Sequence, residues 1–356
     1  MGLHSTDPAS VYLSAWARVV GLTHAEVDRA LYEDRTLVKH MAMRRTLWAV
    51  ATELLPVVQA AASDGIAATQ RRALARDLVR SAVTADGERW LAEAEAAVVS
   101  TLAQSGPTLG RDLGRMVPAL QTKVRGGAKP TAQAFGATTR VLTVLSAAGL
   151  VTRARTGGAW YERQPHWVLM SDWCAPVSEP PDAATARAEL VRHWLTAFGP
   201  ALFEDVKWWT GWTAAQTKAA VRDVGAVGVG LDDGGTGLLL PTDLAAVEQA
   251  EPWVALLPSL DPTTMGWKDR SWYLGPHRDR LFDRNGNAGP TVWSDGQVVG
   301  GWGQAPDGRV LVGMLADVGS AKQAQIDAEA ACLTDWLAGI RIRPTFPTPL
   351  QQTLSE

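Results

Sequence analysis

The sequence predicts an α+β protein, mostly α-helical, in which tandem winged-helix modules precede a C-terminal unit of β-hairpins and a helix. A pattern of helix, turn, helix and hairpin spans residues 106–163 and occurs again, in different sequence, over residues 184–240. From residue 256 short apolar strands alternate with Asp-Gly turns at 295–296 and 307–308, which are typical of hairpins. The repeated pattern predicts the modules, and the Asp-Gly turns predict the separate C-terminal unit.

The N-terminal region, residues 1–66, is predicted to form a partial first winged helix. Asp7 precedes Pro8, and an acidic residue before a first-turn proline is a helix start signal. Thr23 and Glu26 have the spacing of a capping box for a second helix over about residues 23–32. Residues 39–50 have strand character, and Ala- and Arg-rich helices dominate residues 51–104.

Residues 67–180 are predicted to form a winged helix of their own. Helices at 109–116 and about 135–148 flank a basic, Gly-rich loop at 123–130. The following stretch, 150–163, has the pattern of a hairpin that turns at Gly157-Gly158.

Residues 181–250 are predicted to repeat this module. The expected elements are a helix over 184–198 broken by Gly199-Pro200, a helix capped by Thr213 and Gln216, and a hairpin over 226–240 that turns through 232–235. Residues 256–343 are expected to form a small α+β unit with a helix at about 322–337. The Pro-rich end, 344–356, is expected to be an extended tail.

The composition is that of an ordinary globular protein with an unusual set of aromatic residues. The 356 residues are 46% hydrophobic and 20% charged, with a net charge of -3 and a pI of about 6.1, so the chain gives no global basic signal. Two distant cysteines, Cys174 and Cys332, are expected to be free thiols. No segment has the length and hydropathy of a signal peptide or a membrane span, and we expect a cytoplasmic monomer.

Tryptophan outnumbers both other aromatic residues, with 16 Trp against 5 Phe and 4 Tyr. Several of the tryptophans lie beside Arg or Lys, and flat rings next to cations suit stacking on bases and binding of phosphates. Core packing explains most single tryptophans equally well. The candidate DNA-contacting residues are Lys39, Arg44, Arg45, Lys123, Arg125, Lys129, Arg153, Arg155 and Trp160, the last expected on the strand that pairs with the strand of Arg153 and Arg155. A solvated basic face is the alternative for each cation.

Five segments of the chain resemble a known family in order along the sequence. They are Gly2-Leu-His-Ser-Thr-Asp-Pro8, Tyr12-Leu-Ser-Ala-Trp-Ala-Arg18, Met43-Arg-Arg-Thr-Leu-Trp48, Asp205-Val-Lys-Trp-Trp-Thr-Gly211 and Asp295-Gly-Gln-Val-Val-Gly300. These segments resemble the AlkZ/YcaQ-like winged-helix DNA glycosylases. The resemblance implies tandem winged helices around a concave basic channel, double-stranded DNA as partner, and excision of bulky alkylated purines without a metal or an organic cofactor.

The segment that matches the family's catalytic motif departs from it. The family has Gln-x-Gln or Gln-x-Asp where this chain has His4 and Thr6. The resemblance makes His4, Thr6 and Asp7 the catalytic candidates. His4 would orient or activate a water, and Thr6 would hold that water. The alternative for Asp7 is a helix cap, and for His4 a loop residue without a role. Family members carry further residues before this segment, so we expect the first module to be incomplete.

Three functions remain open from the sequence. The first is a DNA glycosylase that acts on alkylated or bulky purines. The second is a winged-helix protein that binds DNA without excising bases, because neither family glutamine is present. The third is a module in which the winged helices bind protein, which the acidic pI allows.

Overall fold

The protein forms two compact units, which are described here one at a time. The computed structural model describes residues 2–126, 134–175, 179–232, 234–248 and 250–356. One unit contains Asp28–Leu190, and the other contains Met1–Val27 together with Val191–Glu356. The predicted class, α+β and mostly α, is confirmed. Within the described ranges, no helix is long and apolar enough to cross a membrane.

The elements are numbered in chain order. The helices are α1 (Pro8–Trp16), α2 (His24–Asp28), α3 (Leu55–Val58), α4 (Asp64–Arg80), α5 (Gly87–Ser105), α6 (Gly110–Met116), α7 (Ala137–Ala147), α8 (Met170–Trp173), α9 (Ala183–Phe198), α10 (Phe203–Thr210), α11 (Ala214–Asp223), α12 (Ser271–Leu274), α13 (Arg278–Leu281), α14 (Gly319–Leu337) and α15 (Pro349–Ser355). The strands are β1 (Leu3–His4), β2 (Leu37–Ala42), β3 (Thr46–Ala51), β4 (Thr108–Leu109), β5 (Lys123–Arg125), β6 (Ala134–Gly136), β7 (Val151–Thr156), β8 (Pro165–Leu169), β9 (Val227–Gly230), β10 (Thr236–Leu239), β11 (Val254–Leu257), β12 (Thr291–Ser294), β13 (Gln297–Gln304) and β14 (Val310–Met314).

The unit of residues 28–190 has a helical core with short antiparallel sheets at its surface. The core side chains come mainly from α4, α5, α6 and α7, and include Leu74, Leu91, Leu102, Leu113 and Leu145. Their helical spacing gives each helix one apolar face. The strands pair as β2 with β3, β5 with β6, and β4–β8–β7 in order. This core fixes the outward faces of α6 and α7.

The hairpin of this unit differs from the sequence prediction in its second strand. The chain turns after Thr156, as expected, but the return strand begins at Pro165 and the predicted partner residues 159–163 lie in the turn. The Thr156 hydroxyl donates a hydrogen bond to the Ala159 carbonyl at 2.9 Å, which closes the first part of this longer turn. Trp160 is therefore in the turn and not on the partner strand.

The second unit has a four-stranded antiparallel sheet in the order β11–β12–β13–β14. The hairpins at Asp295-Gly296 and Asp307-Gly308 follow the prediction, and α14 covers the expected helical stretch. Earlier in the chain, α10, α11 and the β9–β10 hairpin occur in the expected order. The Thr213–Gln216 capping box is confirmed: the Thr213 hydroxyl accepts from the Gln216 amide, and the Gln216 side chain accepts from the Thr213 amide.

The predicted extended tail is wrong for its last residues, because Pro349–Ser355 form helix α15. Leu350 on this helix is buried against the four-stranded sheet. Two glycines of the sheet leave space for the Leu350 side chain. A Cβ at Gly301 would lie 2.9 Å from one Leu350 methyl carbon, and a Cβ at Gly313 would lie 2.9 Å from the other methyl carbon. The apolar contact that orders the helix therefore depends on strands far away in the sequence.

Candidate nucleic-acid interface and catalytic segment

Asp7 is a structural cap in this fold. One carboxylate oxygen accepts from the Ala9 amide at 3.3 Å, which confirms the predicted N-cap of α1. The other accepts from the Thr345 hydroxyl at 2.7 Å and from the Thr345 amide at 3.3 Å. Asp7 thus ties the N-terminal segment to the chain near residue 345, and both of its oxygens are already engaged.

The residues from His4 to Thr6, which lead up to this cap, are polar and buried or partly buried. His4 and Ser5 are both largely excluded from solvent. The hydroxyl oxygens of Ser5 and Thr6 are buried and have no hydrogen-bond partner among the described residues. Because buried polar groups are nearly always hydrogen-bonded, adjacent unsatisfied hydroxyls are uncommon and tend to mark functional or strained sites. The segment that the sequence singled out is therefore chemically unusual within its own unit.

An arginine-lined groove crosses the surface of the unit of residues 28–190. It consists of two adjoining pockets of about 660 and 890 Å³, which share Met41 and the α7 threonines Thr138, Thr139 and Thr143. We call it the arginine groove after the six arginines among its lining residues: Arg45, Arg111, Arg115, Arg140, Arg153 and Arg163. Neither Asp nor Glu is among the described residues that line it. Such a surface favours a polyanion.

Helix α6 positions two of the cations of the groove. Arg111 and Arg115 are one helical turn apart on α6 and exposed, while Leu113 between them points into the core. Asp112 lies 3.1 Å from the Arg115 guanidinium and 3.8 Å from that of Arg111, and Asp77 lies 2.7 Å from that of Arg140. These carboxylates orient the arginines but neutralise only part of the charge.

Arg153 forms the inner wall of the groove. Its guanidinium lies 5.1 Å from the ring centroid of the largely buried Trp167, a cation–π arrangement. Burial lowers the pKa of Arg153 to about 10, so the group remains cationic at neutral pH. Its Nε has no hydrogen-bond partner in the part of the chain that the structure describes. Arg153, which the sequence indicated as a candidate DNA contact, thus lies in a concave, cationic surface.

The turn between β2 and β3 supplies another cation. Arg44 and Arg45 both have positive φ, 57° and 59°, a conformation that costs energy for residues other than glycine. Arg45 donates to the Gln70 side chain at 3.2 Å and lines the groove. Both side chains are exposed. The strained turn therefore holds two neighbouring cations at the surface.

The buried Lys39 and the exposed Arg155 both have partners within the unit of residues 28–190. Lys39 is only 6% exposed, and its ammonium donates to the Tyr32 hydroxyl at 2.6 Å. Burial, reinforced by the charge of Arg153, lowers the pKa of Lys39 to about 7. Arg155 forms ion pairs with Asp28 and, at 3.4 Å, with Glu33. These contacts give both residues a structural role and leave little of Lys39 to offer a phosphate.

The remaining predicted contacts lie on a small strand pair and in a turn. Lys123 and Arg125 are exposed on β5, and Val124 between them is buried. Trp160 is partly buried and lies edge-on to Tyr161 at 5.4 Å. Lys129 lies outside the described residues. Sequence reasoning missed Arg111, Arg115, Arg140 and Arg163, although the i, i+4 spacing of the first two was a usable signal.

Known proteins similar to this chain show its fold and its family. The solved structure of Streptomyces sahachiroi DNA glycosylase AlkZ is similar to this chain, with a TM-score of 0.73 over 96% of this chain and 90% of that chain. At 20% identity this likeness shows that the two share a fold. The model of the AlkZ-like DNA glycosylases matches residues 1–336. The chain belongs to the AlkZ-like DNA glycosylase family, as the resemblance predicted. No curated protein sequence matches it.

Proposed function

We propose that the protein is a DNA glycosylase that binds double-stranded DNA with its arginine groove and hydrolyses the N-glycosidic bond of alkylated or bulky purines. Family membership supports the activity. The single structural observation that carries the DNA-binding part is the groove with six arginines and no lining carboxylate among its described residues. Phosphate contacts from such cations supply most of the affinity of sequence-independent binding. In two regions the chain forms helices followed by a hairpin, and these regions end at β8 and at β10. This order supports the assignment of both regions as winged helices.

The proposed reaction needs little acid catalysis. An N-alkylated purine is a cationic leaving group, so the enzyme must mainly place a water and stabilise an oxocarbenium-like sugar. A neutral His4 imidazole would accept a proton from that water or orient it, and the Thr6 hydroxyl would hold it. Asp7 would contribute by fixing the segment through its cap to α1 and its bonds to Thr345. The contacts favour this positioning role because both oxygens of the Asp7 carboxylate already accept hydrogen bonds.

Replacement of His4 by alanine is expected to abolish base release and leave DNA affinity nearly unchanged. The assay incubates the protein with a duplex that carries one N7-alkylguanine and detects abasic sites by alkaline cleavage. His4→Gln restores the residue type of the family motif and is expected to retain activity. His193→Ala, an exposed histidine on α9, is the matched control. Full activity of His4→Ala would remove His4 from the mechanism.

Loss of two groove cations is expected to weaken DNA binding and reduce its salt dependence. Each phosphate contact contributes about 0.9 to the slope of log K against log salt, so Arg111→Gln with Arg115→Gln is expected to lower the slope by roughly 2. Arg89→Gln with Arg222→Gln, two exposed arginines outside the groove, is the control. An unchanged slope in the groove variant would place the DNA elsewhere.

A second candidate is a family member that binds DNA without excising bases. The observation that favours it is the pair His4 and Thr6 in place of the family's glutamines. Tight, salt-sensitive binding with no base release from wild type or from His4→Gln would select this function.

A further inference from the structure

Trp272, in the unit that contains Val191–Glu356, presents its indole to solvent. It is 56% exposed, more than any other tryptophan among the described residues. The ring lies edge-on to Trp267 at 5.1 Å and to Tyr273 at 4.9 Å between centroids. The Gln297 side chain donates to the Trp272 carbonyl at 3.2 Å. An exposed indole is therefore held against two rings that lie nearly perpendicular to it.

The residues beneath Trp272 are rigid. Tyr273 is fully buried, donates to the Thr264 carbonyl at 2.9 Å and stacks on Trp293 at 5.0 Å. The Trp267 indole N–H donates to the Phe198 carbonyl at 3.1 Å. These hydrogen bonds and ring contacts fix the platform on which the Trp272 ring rests. Binding to the exposed indole would cost little side-chain entropy, because that entropy is lost on folding.

A buried carboxylate fixes the backbone that leads to Trp272. Asp205 on α10 accepts from the Lys268 amide at 2.8 Å and from the Asp269 amide at 3.2 Å. Its other oxygen accepts from the Leu202 amide at 2.9 Å. The Asp269 carboxylate in turn accepts from the Ser271 amide and hydroxyl, which starts α12. Hydrogen bonds thus fix the backbone of residues 268–271, which leads to the indole.

The stretch of chain around Trp272 contains more basic than acidic residues. Residues 267–284 contain five arginines or lysines against three aspartates. Arg270 is buried between the rings of Trp208 and Phe282, and the exposed cations are Lys268, Arg278, Arg280 and Arg284. Asp269 and Asp283 are used in turn hydrogen bonds. The Lys268 ammonium is paired with the Glu204 carboxylate at 3.5 Å. A flat exposed ring in a stretch of chain with more basic than acidic residues matches the chemistry of a nucleobase next to its phosphates.

Trp253 provides a contrast within the same unit. It is 39% exposed. Its backbone amide donates to the Asp295 carboxylate, and its carbonyl accepts from the Asp295 amide. Glu251 and Glu248 precede it in the chain. The Lys322 ammonium donates to the Trp253 carbonyl at 3.4 Å and is paired with the Asp295 carboxylate at 2.9 Å. Trp253 is thus also exposed, but the cation beside it already has a carboxylate partner. Trp272 combines the greater exposure with a fixed platform and a stretch of chain that is richer in basic than in acidic residues.

We propose that Trp272 stacks on an unpaired or unstacked nucleobase of bound DNA and so directs the protein to distorted positions in a duplex. The inference rests on the proposed DNA binding. It assigns Trp272 a specificity role, separate from the water chemistry at His4 and from the phosphate contacts of the arginine groove. A protein partner on the same indole is the alternative that the experiment addresses.

The test compares affinity for a fully paired duplex with affinity for the same duplex carrying one bulged adenine, by fluorescence anisotropy. Loss of a base–aromatic stack weakens binding by roughly 5- to 150-fold. We expect Trp272→Leu, which keeps apolar packing on Trp267, to lose this factor on bulged DNA only. Trp272→Phe is expected to retain most of the preference, and Trp253→Leu all of it. Thermal unfolding checks that each variant is folded.

Different outcomes separate this inference from the proposed function. Wild-type preference for bulged DNA that disappears in folded Trp272→Leu supports the stacking role. Equal affinities of wild type and Trp272→Leu for bulged DNA, with tight salt-sensitive binding intact, overturn the stacking role and leave DNA binding in place; the indole then serves a protein partner or none. No binding of either duplex by wild type overturns both proposals.

Discussion

Arg18→Met is expected to lower the free energy of unfolding by about 3 kcal/mol, because it leaves a buried carboxylate without its counter-ion. Asp261 is 0% exposed, and the two nitrogens of the Arg18 guanidinium donate to its two oxygens at 2.8 and 2.7 Å. The Ser14 hydroxyl also donates to it at 2.7 Å. Arg18 itself is about one-third exposed, so water compensates part of the loss and the lower end of the usual range applies.

Urea unfolding of wild type and variant measures this effect. Arg222→Met removes an exposed arginine whose partner is the neighbouring Asp223, and it is expected to cost less than 1 kcal/mol. The double variant Arg18→Met, Asp261→Asn removes the stranded charge and is expected to recover part of the stability. Equal midpoints for Arg18→Met and Arg222→Met would show that the buried pair contributes nothing.

Lys39→Met is expected to stabilise the protein at pH 6 and to lose that advantage as the pH rises. The pKa of Lys39 falls from 10.5 to about 7 on folding because the ammonium is buried. Below pH 7 the amine is protonated in both states, and the folded state carries the full penalty, roughly 4–5 kcal/mol. Between pH 7 and 10.5 the unfolded state binds more protons, so wild-type stability rises with pH. Above 10.5 the penalty is gone.

The hydrogen bond to Tyr32 is expected to reverse the sign of the stability difference between wild type and Lys39→Met at high pH. At high pH the neutral Lys39 amine still bonds the Tyr32 hydroxyl, and methionine cannot, so wild type is then expected to be more stable by about 1 kcal/mol. Urea unfolding at pH 6 and near pH 11 checks both limits. Lys123→Met, an exposed lysine on β5, serves as the pH-independent control. A stability difference that does not vary with pH would show that Lys39 is not neutralised on folding.

Local signals in the sequence determined the helix starts and hairpin turns. Asp7 and Thr213 cap helices because each has an oxygen that accepts from a backbone amide two or three residues away. The Asp-Gly turns form hairpins because glycine accepts a positive φ at the turn. Family membership was also predictable, since the matching segments follow one another in order along the chain. Each of these features requires only neighbouring residues or their order.

The tertiary structure alone decided which cations face outward and which polar groups are buried. Lys39 and Arg153 are both basic residues on strands, yet one donates to Tyr32 in the interior and the other lines a groove. Helix α15 forms because Leu350 fits against Gly301 and Gly313. The arginine groove joins residues of α6, α7 and the β2–β3 turn. Burial depends on packing between segments distant in sequence, and local pattern carries no information about such packing.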